Sequence, residues 1–122
     1  MALKLNERAF SYAKKLVEEG KVVHDNRNAW SADQPSTSQE NEFIEAHGFA
    51  EYGEWHLGIN DEEPAETKKR YEFPYGDFEK VHRCAVLAAE SRAGQYKHAD
   101  IEGAAAQLLA MIDQAKPKAA GA

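Results

Sequence analysis

The chain has 122 residues, 43% hydrophobic and 30% charged, with a formal net charge of −6. Those values suit one globular domain, since a second would be too small to bury its own core. No strictly apolar run exceeds five residues, the length of 85–89, which cannot span a bilayer, no apolar signal segment opens the chain, and the single Cys84 makes no internal disulfide. These features argue against a membrane protein, a disulfide scaffold or a repeat array, and for a reduced, cytoplasmic protein.

The first helix follows Asn6, a good N-cap, with Ala9, Phe10, Ala13, Leu16 and Val17 at helical spacing and Gly20 after its end. Val22-Val23-His24 reads as a short extended segment, and residues 25–35 as turns around Trp30. Ser36-Thr37-Ser38-Gln39 has capping-box spacing, so a second helix starts there and stops at Gly48. Phe49, Tyr52 and Trp55 recur every three residues, which predicts a short third helix over 50–57. An acidic turn over 59–64 leads, through Pro64, to a helical turn over 65–70. Tyr71–Pro74 and the following Tyr75-Gly76 are expected to be extended, because the residue before a proline leaves the α region. Asp77 is expected to cap a helix over about 78–93, followed by Gly94 and a last helix from His98 or Asp100 to about 115. The small residues Ala85, Ala88, Ala89, Ala104 and Ala105 predict that these two helices pack closely as a hairpin. The expected fold is all-α: a single-domain bundle of four or five helices over residues 1–116, with a disordered tail over 117–122 and no strand pair.

Charge is unevenly placed. Residues 28–67 carry ten acids and no Lys or Arg, and Lys68-Lys69-Arg70 follows at once. A nucleic-acid binder needs a basic patch, so nucleic acid is not an expected partner, and neither is a membrane. Such an acidic stretch either keeps the chain soluble or docks a basic protein partner. The interaction candidates are Glu51, Glu54, Asp61, Glu62 and Glu63, together with His82 and Arg83.

Signals for chemistry are sparse. Glu79-Lys80-Val81-His82 places a carboxylate and an imidazole three residues apart, which on one helix face is the spacing of carboxylate-bridged metal bundles. One copy is too few for such a centre, so Glu79 and His82 are metal candidates only across a dimer. A glutamate in a first helical turn also simply complements the helix dipole. His47 and Glu51 are separated by the helix-breaking Gly48, and the 60–63 turn lacks the alternating ligands of a calcium loop. Cys84 falls in an apolar helix stripe, where cysteine behaves as a small hydrophobe, and helix neighbours at i,i+2 diverge. No phosphate-binding glycine loop, nucleophile elbow or zinc-ligand pair is present. No catalytic residue and no cofactor are therefore assigned. Trp30, Trp55, Tyr52, Tyr71, Phe73 and Tyr75 are read mainly as core anchors.

The stretch Tyr71-Glu72-Phe73-Pro74-Tyr75-Gly76-Asp77-Phe78-Glu79-Lys80-Val81-His82-Arg83 joins an aromatic-Pro step, a turn and a Val-His-Arg opening to an Ala-rich helix. Arg92-Ala93-Gly94, Asp100-Ile101 and Leu108-Leu109 follow. This pattern resembles short domains of unknown function in bacterial and phage-associated proteins, including phage head-region proteins. The first 65 residues resemble a family of uncharacterised small bacterial proteins. The resemblance implies a helical fold and an interaction role, and carries over no catalytic residue.

The sequence thus predicts a non-enzymatic protein-binding or adaptor module, with the oligomeric state open. Two alternatives stand beside it. One is a carboxylate-His metal protein whose site forms across a dimer. The other is a small-molecule binder with an aromatic pocket around Trp30, Trp55 and Tyr75.

Overall fold

The computed structural model describes residues 3–114, and the expected tail over 117–122 lies outside them. Within the described residues, strands accompany the helices, so the fold is mixed α/β and the all-α bundle expected from sequence is corrected. Strand β1 (Leu3–Leu5) leads into helix α1 (Glu7–Glu18), then β2 (Val22–Val23) and the short α2 (Trp30–Asp33). Helix α3 (Thr37–Gly53) is followed by β3 (His56–Asn60), a 3-10 turn (Lys68–Arg70), β4 (Tyr71–Pro74) and β5 (Val81–His82). Helices α4 (Arg83–Gln95) and α5 (Ala99–Gln114) close the chain as the predicted hairpin. No helix among these residues is long and apolar enough to cross a membrane.

Asn6 caps α1 as expected, its side-chain oxygen accepting from the Ala9 amide. Its side-chain NH₂ also donates to the carbonyls of Gly53 (3.0 Å) and His56 (3.2 Å), fastening α1 to the far end of α3. The capping box at Ser36 and Gln39 is complete, and Gly48 breaks α3 with φ 87 and ψ 167.

The third helix expected over 50–57 stops at Gly53, and His56–Asn60 is instead the central strand of an antiparallel sheet ordered β1-β3-β4. Leu5 faces Gly58 on one side and Tyr71 faces Ile59 on the other. Spacing of three among Phe49, Tyr52 and Trp55 is a local signal. The backbone partners that outweigh it come from both flanks of the chain, which periodicity does not register.

The helix predicted from residue 78 begins five positions later, at Arg83. Asp77 does cap, but it caps a tight turn: its Oδ1 accepts from the amides of Glu79 (3.0 Å) and Lys80 (2.8 Å). The Val81 amide then donates to the Lys21 carbonyl and the His82 amide to the Tyr75 carbonyl, both at 2.9 Å. Amides committed in this way cannot enter a helical ladder, so 81–82 forms β5, parallel to β2 (Val22 with Val81, Val23 with His82).

Trp55 (3% exposed) and Tyr75 (0%) stack at 5.5 Å in the core, and the Tyr75 hydroxyl donates to the Glu54 carbonyl at 2.6 Å. Around them pack Leu16, Val17, Leu57, Val81 and Val86, with Ile101, Leu108 and Ile112 from α5. Gly76 leaves no room beside this stack. A β-carbon there would lie 2.5 Å from the Lys80 carbonyl oxygen and 2.6 Å from the Trp55 ring. Backbone and a packed indole yield little, so Gly76→Ala is expected to cost about 2 kcal/mol. Chemical denaturation beside the parent protein measures it.

Candidate functional site

The β2–β5 pairing brings together residues far apart in the chain. Asp25 follows β2, His82 ends β5, and Cys84 stands in the first turn of α4. Asp25 accepts from the Cys84 amide at 2.8 Å through Oδ1. Its Oδ2 lies 3.0 Å from the Cys84 Sγ and 2.7 Å from the His82 Nδ1. Because His82, the N-cap of α4, makes no side-chain cap, Asp25 supplies the helix's capping oxygen from a remote segment. The second imidazole nitrogen, Nε2, is 2.8 Å from Asp77 Oδ2. Asp33, the last residue of α2, completes the group on its exposed side. One ligand atom each from Asp25, Asp33, His82 and Cys84 lies within 4.8 Å of the others. The Trp30 ring covers the imidazole at 5.4 Å between centroids.

Each group shifts the others. Burial would lift the Asp25 carboxyl, but hydrogen bonds from the Cys84 thiol and amide and from His82 outweigh it and hold Asp25 down at about 2. Asp33 shares a hydrogen bond with Asp25, and that contact, with some burial and the Asp25 charge, raises it. Burial opposes the charged form of His82, yet the bonds to Asp77 and Asp25 prevail and raise it. Asp77 is lowered in turn: burial works against it, and the His82 ring and the Lys80 and Glu79 amides override that. Burial first, then the Asp25 hydrogen bond and the Asp25 and Asp33 charges, push the Cys84 thiol up to about 12. The shifts favour the charged form of the imidazole between two carboxylates, beside a protonated thiol. The carboxylates of Asp25, Asp33 and Asp77 around one imidazole concentrate negative potential, which a divalent cation would relieve.

The structure separates the residues singled out by the sequence. His82 is in the cluster but only 6% exposed, so it is not a surface contact. Glu79 is exposed on the Asp77 turn, and no helix carries it and His82 on one face, which corrects the Glu79–His82 pairing. Arg83 pairs with Asp113 at 2.9 Å, linking α4 to α5. Among the acidic candidates, Glu54 pairs with Arg8 (2.7 Å), Asp61 with Lys4 (2.9 Å) and Glu51 with His47 (3.5 Å). Glu62 and Glu63 follow β3 without a side-chain ion pair among the described residues. Of the three aromatics expected around a pocket, Trp55 and Tyr75 are core and do not share a cavity with Trp30: Trp30 borders the cavities beside α4, and the edge of Trp55 borders a separate one beside Lys21 and Lys80.

Asp25, Asp33 and Asp77 are not legible in the sequence as partners of His82. The available signal is His82-x-Cys84: on extended backbone, side chains two apart share a face, and here a strand ends between them. Read as one helix, the same two residues diverge.

No protein-family model, curated protein or solved structure matches the chain, so its chemistry is read from its own geometry.

Proposed function

We propose that this protein binds a divalent cation of the zinc class, held within one chain by Asp25, Asp33, His82 and Cys84. The supporting observation is the convergence of four ligand atoms within 4.8 Å. Sulfur, imidazole nitrogen and two carboxylate oxygens are a donor set that suits a four-coordinate borderline metal better than calcium or magnesium, which take oxygen. The remote nitrogen of His82 faces Asp77, the carboxylate that orients a ligating imidazole and fixes its tautomer. Ligation through His82 Nδ1 and Cys84 Sγ displaces any proton those atoms carry, while the Nε2–H keeps donating to Asp77. Binding therefore tightens as pH rises. The reading also fits a cytoplasmic, reducing setting, which keeps Cys84 a thiol.

Titration of chelator-treated protein with cobalt(II) tests this. The expected result is one equivalent bound, with a sulfur-to-cobalt absorption band. Cys84→Ser should abolish the band, and Glu79→Gln should leave it intact. Zinc at about 100 times its Kd should add about 3 kcal/mol of stability. A spectrum without the sulfur band, or one unchanged in Cys84→Ser, excludes the site.

A further inference from the structure

We infer that the cleft between α2 and α4 is a binding site for a small amphipathic organic anion, its charged group held by Arg27 and Arg92 and its apolar body lodged behind Trp30. Two cavities meet there, of about 630 Å³ and about 330 Å³, and they share Trp30, Gln34, Ala88 and Arg92. Together they have the size of a small-ligand pocket.

The larger compartment is polar. Arg27 and Arg92 border it with Asn28, Ser31, Ser91 and Gln95, and no carboxylate among the described residues lines it. That runs against the composition, since the chain has 21 acids and 15 bases. It also fits the disposition of the arginines. Arg8 bonds Glu54, Arg70 the Glu63 carbonyl, and Arg83 pairs with Asp113. The Arg27 and Arg92 side chains have no hydrogen bond or ion pair among the described residues, and both stand on this one cavity. A guanidinium fork grips a carboxylate or phosphate through paired N–H donors, so the two unpaired forks define the charge and the geometry of the occupant.

The smaller compartment is mainly apolar, walled by Phe73, Pro74, Ala85, Ala88 and Ala89, with Glu72 at its border. Three alanines on α4 leave the depth that a larger side chain would fill. Trp30 stands between the compartments and offers an indole against which a flat ring packs. A free inorganic anion would use only half of this space. The ligand chemistry that uses both halves is an aryl or short alkyl group carrying one carboxylate or phosphate.

The site uses none of the four cation ligands except Cys84 at its margin, so it is testable without metal. Chelator-treated protein would be titrated with phenyl phosphate, indole-3-acetate and inorganic phosphate, followed by calorimetry and, for phenyl phosphate, by tryptophan fluorescence. Trp55 is buried, so Trp30 carries any emission change. The expected result is saturable 1:1 binding of at least one aryl anion, at least about tenfold tighter than inorganic phosphate. The Arg27→Gln/Arg92→Gln protein should lose at least about tenfold in affinity with its denaturation midpoint unchanged, because both side chains are exposed. Ala88→Leu, also at an exposed position, should block binding of the aryl anions by filling the shared floor. Absence of saturable binding by both aryl anions, or equal binding by the double-arginine variant, overturns the assignment. Inorganic phosphate binding as tightly as phenyl phosphate overturns it too.

Discussion

Asp25→Ala is expected to cost about 3–5 kcal/mol in metal-free protein at pH 7. One carboxylate receives the Cys84 amide, the Cys84 thiol and the His82 ring. The His82 and Asp25 side chains are 8% and 11% exposed, so water does not replace what is lost. Removing Asp25 uncaps α4 and leaves His82 with Asp77 alone. Such a loss is a large part of the roughly 5–15 kcal/mol that holds an ordinary domain folded. Asp25→Asn should lose less, because its side-chain oxygen still accepts from the Cys84 amide while the charge facing His82 is gone. Urea denaturation of the three proteins in chelator decides this. An Asp25→Ala midpoint within about 1 kcal/mol of the parent would mean the bonds at Asp25 are not supporting α4.

The second large effect is acid sensitivity, set by His56. Its ring lies in the core, 4% exposed, with Nδ1 donating to the Tyr52 carbonyl at 2.9 Å. Burial drives it down from 6.5 to about 4, against a small opposing push from the Tyr52 carbonyl. The folded ring stays neutral between pH 6.5 and 4, whereas the unfolded ring takes a proton. The unfolded state therefore binds more protons in that window, and stability falls as pH is lowered. The full shift corresponds to about 3 kcal/mol lost between pH 6.5 and 4. His82 works in the opposite sense: its folded value is raised, so its contribution is present below pH 6.5 and is lost as pH rises, and it does not cause the loss on the acid side. Unfolding free energy across pH 4–6.5 in chelator checks the slope. His56→Gln, whatever its stability at pH 7, should flatten it, and a slope unchanged in that variant would assign the sensitivity elsewhere.

Legibility follows the range of the interactions. The α1 cap at Asn6, the Ser36–Gln39 capping box and the break at Gly48 rest on residues within a turn of each other, the α4–α5 hairpin on two helices adjacent in the chain, and they stand in the structure. Extended Val22-Val23 and Tyr71–Pro74 are visible because β-branched residues and a proline speak locally. What escapes a reading along the chain depends on distant pairing. His56–Asn60 is a strand because β1 and β4 flank it, and 81–82 is extended because Lys21 and Tyr75 carbonyls hold its amides. The site inherits that blindness. With 78–93 taken as one helix, His82 and Cys84 point apart, and no pattern near them names Asp25.

The parallel pairing of β2 with β5 also sets an order of events during synthesis. Asp25 and Cys84 are 59 positions apart in the chain. At ribosomal rates of about 5–20 residues per second, Cys84 emerges roughly 3–12 s after Asp25. Through that interval α1 can form, since its cap and apolar stripe are local, but Asp25 waits with neither His82 nor the thiol. The whole acidic stretch thus leaves the ribosome before Asp25 meets His82 and Cys84, and α4, whose capping oxygen is Asp25, docks onto a segment made long before it.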